Sequence, residues 1–334
     1  MADTIQRIAV IGAGAWGTAL ASVARRSGRD VILHAHEAKT ADAINADHEN
    51  KVFLPGVALD PAIRATADLS EALDGADAIL MVTPAQFLRA TLAASANARG
   101  NDAPIVICAK GFELDTGKLM NEVAEEAAPG ARLAVLSGPT FAAEVARGLP
   151  TAVTLACADA DTAASLADAI GTATFRPYTA TDVVGAEVGG AVKNVIAIAC
   201  GVVDGRGLGQ NARAAVIARG LAEIARLAAA LGADPRTLMG LSGIGDLTLT
   251  CTSVASRNYA LGAALGAGES FADQMKDRTS IAEGATTAPA VLTRAQALGV
   301  EMPICRAVNA ILHDGADIGE TIAGVLARPL RPES

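Results

Sequence analysis

The sequence predicts an α/β protein: a doubly wound, mostly parallel sheet over residues 1–180, followed by an all-α unit over residues 181–334. Three observations carry this. Short apolar, β-branched runs alternate with helix-length stretches through the first half. A glycine-rich turn separates the first run from the first helical stretch. Beyond residue 181 the strand-like runs stop, and long alanine- and leucine-rich segments replace them.

Taken in order, residues 8–11 (IAVI) form the first strand, and Gly12, Gly14 and Gly17 follow. A helical pattern then runs through Ala19, Leu20 and Val23, with Gly28 as its stop. Residues 30–36 (DVILHAH) are a second strand, and 76–83 and 103–109 are further apolar runs suited to strands buried on both faces. Helical stretches span 85–98 and 118–127. The segments RLAVLSGPT, PTAVTLAC and ATFRPY continue the strand series to about residue 180. Helices are then expected over 183–201, 212–231, 285–298 and 303–313, jointed by DGRGLGQN, GADP and GVEMP.

Composition narrows the function. A net charge of −9 argues against non-specific nucleic-acid binding, yet leaves room for local cations around one small anion. The N-terminus lacks the pattern of a signal peptide, and no uninterrupted apolar run is long enough for a membrane span, so no membrane insertion is expected. Cys108, Cys157, Cys200, Cys251 and Cys305 are widely spaced and histidines number only 4, so no metal site is expected. The cysteines read as reduced thiols of a cytoplasmic protein.

In GAGAWG, Gly12 permits the tight turn, Gly14 leaves room for a pyrophosphate, and Gly17 lets helix and strand approach closely. The following helix start offers free N–H groups to phosphates. An acidic residue at the end of the second strand would favour NAD. Here the strand ends LHAHE, where Glu37 comes slightly late and His36 could face a 2′-phosphate, so NAD and NADP both stay open.

In such sheets ligands bind beyond the carboxyl ends of the strands. Lys110 and Gly111 follow one strand, and Ser137, Gly138, Pro139 and Thr140 follow another, offering backbone donors and a hydroxyl. Lys110 alone would read as a solvated strand-end lysine. Lys193 is the one charge in VGGAVKNVIAIACGVV apart from its surroundings of apolar residues. Burial would depress its pKa and make it a general base; the alternative is a lysine that snorkels to the surface. Gly189 and Gly190 would let a ligand or backbone come close to it. Further on, Asp246 could pair with a buried ammonium or orient a substrate hydroxyl, and Ser256, Arg257 and Asn258 could hold a phosphate. Ser256 as an N-cap beside an exposed Arg257 is the competing reading.

Several segments together resemble one family. IGAGAWGTALA, AKGFELDTG, SGPTFAAEVARGLPTAV, GGAVKNVIAIACGVVDGRGLGQNARAAVIARGLAE, GLSGIGDLTLTCTSVASRN and AEGATT are similar to bacterial NAD(P)-dependent glycerol-3-phosphate dehydrogenase, in order along the chain. The resemblance implies a Rossmann-like domain and a helical domain like the C-terminal domain of 6-phosphogluconate dehydrogenase. It implies a cytoplasmic homodimer that interconverts sn-glycerol 3-phosphate and dihydroxyacetone phosphate with NAD or NADP, supplying glycerophospholipid synthesis. It makes Lys193 the proton acceptor and places Lys110, Gly138, Thr140, Asp246, Ser256, Arg257 and Asn258 at the substrate. It puts Ala15, Trp16, His36, Lys110, Ala142, Arg257, Ile281 and Glu283 at the cofactor. Ala15, Glu187 and Ile281 depart from the residues more usual there (serine, glutamine and valine), and Glu187 would raise the pKa of Lys193 if it lay close. A β-hydroxyacid-type dehydrogenase would share the glycine turn and a helical-domain lysine without needing Arg257 and Asn258. A non-catalytic NAD(P)H sensor would need no buried base.

Overall fold

The computed structural model describes residues 5–100, 102–276 and 282–329. One sheet of eight strands is formed by β1 (Arg7–Ile11), β2 (Asp30–His34), β3 (Arg64–Thr66), β4 (Ala78–Met81), β5 (Ile105–Ile107), β6 (Leu133–Ser137), β7 (Thr151–Cys157) and β8 (Phe175–Ala180). Their spatial order is β3-β2-β1-β4-β5-β6-β7-β8. The chain moves outward from β1 through β2 and β3, then returns to β4 on the other side of β1. That reversal opens a crevice at the carboxyl ends of β1 and β4.

Among the described residues, seven α-helices lie among the strands: α1 (Ala15–Arg26), α2 (Ala38–Asp47), α3 (Leu69–Leu73), α4 (Leu88–Ser95), α5 (Met120–Ala127), α6 (Ala142–Ala146) and α7 (Ala160–Ile170). The expected strand over 30–36 stops at His34, and the helix expected over 85–98 is a 3-10 turn, Ala85–Phe87, followed by α4. β3 was not legible in the sequence, since its three residues RAT form no apolar run. Every neighbouring strand pair is parallel except β6 with β7. Only the five-residue α6 stands between those two strands, so the chain returns beside β6 without the full helical crossover of a parallel pair.

After β8 the described chain is helical: α8 (Val183–Gly205), α9 (Gly209–Ala230), α10 (Asp246–Cys251), α11 (Arg257–Gly266), α12 (Phe271–Lys276), α13 (Glu283–Ala297), α14 (Pro303–His313) and α15 (Ile318–Leu326). α9 begins inside a stretch expected to be a joint. α8 is long and apolar enough to cross a membrane by composition, but most of it is buried inside the protein as a core helix. Glycines set its packing. A Cβ on Gly201 would lie 2.1 Å from the Tyr259 carbonyl oxygen, and one on Gly262 2.0 Å from that of Ile198. α8 and α11 therefore touch backbone to backbone, which no larger residue at these positions allows. Phe112 and Leu119, from the loop between β5 and α5, join the core built around α8, so the sheet half and the helical half share buried surface.

Candidate functional site

The glycine turn fits a dinucleotide. Gly12 has φ +114°, and a Cβ there would lie 2.9 Å from the Val82 carbonyl oxygen. A Cβ on Gly17 would lie 1.8 Å from the Gly12 oxygen. Gly14 is exposed, with open space where its Cβ would be. No side chain caps the start of α1 and no acidic residue stands in its first turn, so the N–H groups of that turn, Ala15 and Trp16 among them, are available to an anion. Trp16 Nε1 and Thr83 Oγ1 are buried polar atoms without a partner inside the protein. His36 is exposed just beyond β2, and Glu37 beside it pairs with Lys39 at 2.9 Å.

At the carboxyl ends of β5 and β6 the sheet meets α8 and α10, and a charged cluster forms there. Lys193 Nζ donates to Asp246 Oδ1 at 2.6 Å and to Thr250 Oγ1 at 2.9 Å. Lys110 Nζ donates to the other carboxylate oxygen, Oδ2, at 2.8 Å and to the Gly138 carbonyl at 3.3 Å. One fully buried carboxylate thus bridges two lysines, one of them, Lys193, only 6 % exposed. Burial lowers the Lys193 pKa from 10.5 to about 8; Asp246 opposes that shift and the Lys110 charge reinforces it. The two glycines before Lys193 have steric reasons. A Cβ on Gly189 would lie 2.4 Å from the Ser242 carbonyl oxygen, and one on Gly190 2.7 Å from Ser137 Oγ and 3.6 Å from Lys110 Cδ. The glycines admit to the face of α8 the backbone and the lysine that complete the cluster.

Asp246 is the first residue of α10, continuing a π-helical turn over Leu241–Gly245, rather than lying in an open glycine loop. Thr250 was missed by sequence reasoning, although it stands four residues after Asp246 on the same helix. Its hydroxyl donates to the Asp246 carbonyl at 2.7 Å, which leaves its oxygen to accept from Lys193.

A second group adjoins the first through Asn194. Its Nδ2 donates to Glu283 Oε2 at 3.3 Å, and Asn258 Oδ1 accepts from Gly284 N at 2.9 Å. Ser256 caps α11 by accepting from Tyr259 N, so both Ser256 and Asn258 have internal bonds, as the capping reading held. Arg257 is exposed and has no ion pair among the described residues. Thr140 and Ala142 are half-buried after β6, at the entry to α6. Ile281 lies outside the described residues. Glu187 is turned away from Lys193: its buried carboxylate accepts from Asn121 N at 3.0 Å, and burial pushes its pKa up to about 8 against the pull of that N–H. It therefore does not tune the lysine by the route the sequence suggested.

Residues 7–163 match the family described as NAD-dependent glycerol-3-phosphate dehydrogenase N-terminus, and residues 182–323 match its C-terminus. The chain belongs to this family. Glycerol-3-phosphate dehydrogenase [NAD(P)+] of Rhodospirillum rubrum is 59 % identical over 100 % of this chain and 95 % of its own length. The enzyme of that name from Caulobacter vibrioides is 57 % identical over 99 % of this chain and 100 % of its own. The crystal structure of glycerol-3-phosphate dehydrogenase from Coxiella burnetii superposes with a TM-score of 0.93 at 37 % identity, covering 97 % of this chain and 99 % of that one. A ketopantoate reductase from Ralstonia eutropha, 18 % identical with a TM-score of 0.59, covers 92 % of this chain and 97 % of its own and shares the fold alone.

Cavities of about 290 and 460 Å³ also occur in the helical half, around α13, α14 and α15. None of their lining residues belongs to the lysine–aspartate cluster.

Proposed function

We propose that the chain is an NAD(P)-dependent dehydrogenase interconverting sn-glycerol 3-phosphate and dihydroxyacetone phosphate, with Lys193 as the proton acceptor. Residues 1–180 hold the dinucleotide, and residues 181–334 supply the base and the phosphate ligands. The observation that carries this reading is one buried carboxylate bridging two lysines, of which the buried one, Lys193, has a depressed pKa.

Oxidising a secondary alcohol removes a hydride from carbon and a proton from oxygen. The bound nicotinamide supplies the hydride acceptor, or in reverse the donor. Neutral Lys193 takes the proton from the carbinol oxygen; in the reverse direction its ammonium donates to the ketone oxygen. Asp246 holds the amine in place through Oδ1 while Thr250 fixes a second direction, so Nζ keeps one position for the substrate. Lys110, held by Asp246 Oδ2, offers a fixed hydrogen-bond donor to the substrate oxygens. The exposed guanidinium of Arg257, with Asn258 beside it, suits the phosphate, and binding at that remote group orients the reacting carbon. Gly138, Thr140 and Ser256 border the substrate. Ala15, Trp16, His36, Ala142 and Glu283 line the dinucleotide. A cytoplasmic homodimer serving glycerophospholipid synthesis is the setting the family resemblance supports.

The exposed guanidinium of Arg257 favours a phosphorylated ketone over an unphosphorylated hydroxyacid. Oxidation of NADH or NADPH is followed by absorbance with dihydroxyacetone phosphate and then with unphosphorylated keto acids. Turnover with the phosphorylated ketone alone is expected. Lys193→Ala should bind NADH as the wild type does and lose about three orders of magnitude in turnover, the scale of a lost general base. Near-normal turnover in that variant removes the base assignment.

A further inference from the structure

We infer that Asn50 is a positioning residue for the dinucleotide, its carboxamide fixing the peptide that aims the Gly14 N–H at the pyrophosphate. The inference rests on the dinucleotide reading above. Asn50 is 2 % exposed and lies 37 residues beyond the turn it touches. Its Nδ2 donates to the Ala13 carbonyl at 2.8 Å and to Thr18 Oγ1 at 2.8 Å, so it grips both flanks of the glycine turn. Its Oδ1 accepts from Phe53 N at 3.2 Å.

The geometry of the peptide unit gives this grip a direction. In a trans peptide the C=O and the following N–H point opposite ways. No cis peptide occurs among the described residues. With the Ala13 carbonyl drawn inward to Asn50, the N–H of Gly14 points the other way, from a residue that is itself exposed. Gly14, on one side of this peptide, has no side chain to resist its rotation, and open space where a Cβ would be. Asn50 is in turn held by its loop. Leu59 N donates to the His48 carbonyl at 2.8 Å, Glu49 and Ala58 form an isolated β-bridge, and Leu54 N donates to the Asn50 carbonyl at 2.8 Å. The carboxamide is thereby a fixed strut rather than a mobile side chain.

The test separates aiming from stability. NADH and ADP-ribose affinities are measured on the full-length protein without substrate, by nicotinamide fluorescence and calorimetry, for wild type, Asn50→Asp, Asn50→Ser and Thr18→Val. Asn50→Asp sets a carboxylate against the Ala13 carbonyl, and Asn50→Ser is too short to reach that carbonyl and adds no charge. Thr18→Val removes the other acceptor but leaves that carbonyl gripped. All three are expected to lower the melting temperature. Only the two Asn50 variants should weaken NADH and ADP-ribose, both by about tenfold, the scale of one mis-set hydrogen bond to a charged group. Equal loss for both ligands places the effect at the pyrophosphate, which they share. Wild-type affinity in the folded Asn50 variants, or an equal loss in Thr18→Val, overturns the inference. A wild-type protein that binds neither ligand overturns the dinucleotide reading and this inference together.

Discussion

The proton on Lys193 gives the sharpest prediction, because its pKa and its neighbours are both defined. At about pH 7.5, a lysine with its ordinary pKa would be neutral in about one molecule in a thousand, whereas one at about 8 is neutral in about a quarter. Burial therefore multiplies the population of neutral Lys193 amine by about two orders of magnitude. The kcat/KM for glycerol 3-phosphate oxidation should rise tenfold per pH unit at low pH and level off above about 8. In the reduction direction the profile should mirror this, falling above about 8. Asp246 holds the proton on Lys193 by charge attraction, so Asp246→Asn should move the limb to lower pH while cutting the plateau, since the amine also loses its anchor. The assay is initial-rate absorbance at saturating dinucleotide across the pH range, with the binding affinity of NADH checked at each end. A wild-type limb still climbing past about pH 10, or an Asp246→Asn limb displaced upward, would refute the reasoning.

Two stability predictions follow from the same geometry. Glu187 has a raised pKa, so the folded chain binds its proton more tightly than the unfolded chain does; its contribution is complete below the ordinary carboxyl value and is lost as pH rises through about 8. Glu187→Gln keeps an oxygen for Asn121 N and should be more stable than wild type by about 1–3 kcal/mol above that pH, with little difference near pH 4; urea midpoints at both pH values that shift in parallel would contradict it. Gly201→Ala should cost about 3 kcal/mol or more, because its Cβ would meet backbone of α11 that cannot yield. Gly324→Ala, in a helix where nothing lies within 4 Å of the new Cβ, should instead gain about 0.5–1 kcal/mol. Urea denaturation of both variants checks the contrast.

The sequence by itself determined the elements whose signal is local. The β1–turn–α1 unit was legible because glycine spacing and apolar periodicity are properties of one short segment. The long apolar α8 with a single lysine was legible for the same reason, and that lysine stood out as a charge with no partner in sight. What only the tertiary structure decided is where each polar side chain sends its hydrogen bonds. Asp246 lies 53 residues from Lys193 and 136 from Lys110, and no periodicity links them. The same holds for Asn50 gripping the glycine turn, and for Glu187, whose place on α8 suggested Lys193 but whose carboxylate settles on α5. The antiparallel direction of β7 and the short β3 escaped notice because an apolar run carries no record of its neighbour's direction, and a three-residue edge strand carries hardly any run at all. Side-chain period reports which face of an element is buried; which group meets a buried charge is settled when elements distant in sequence pack, since burial without a partner costs more than a fold of marginal stability tolerates.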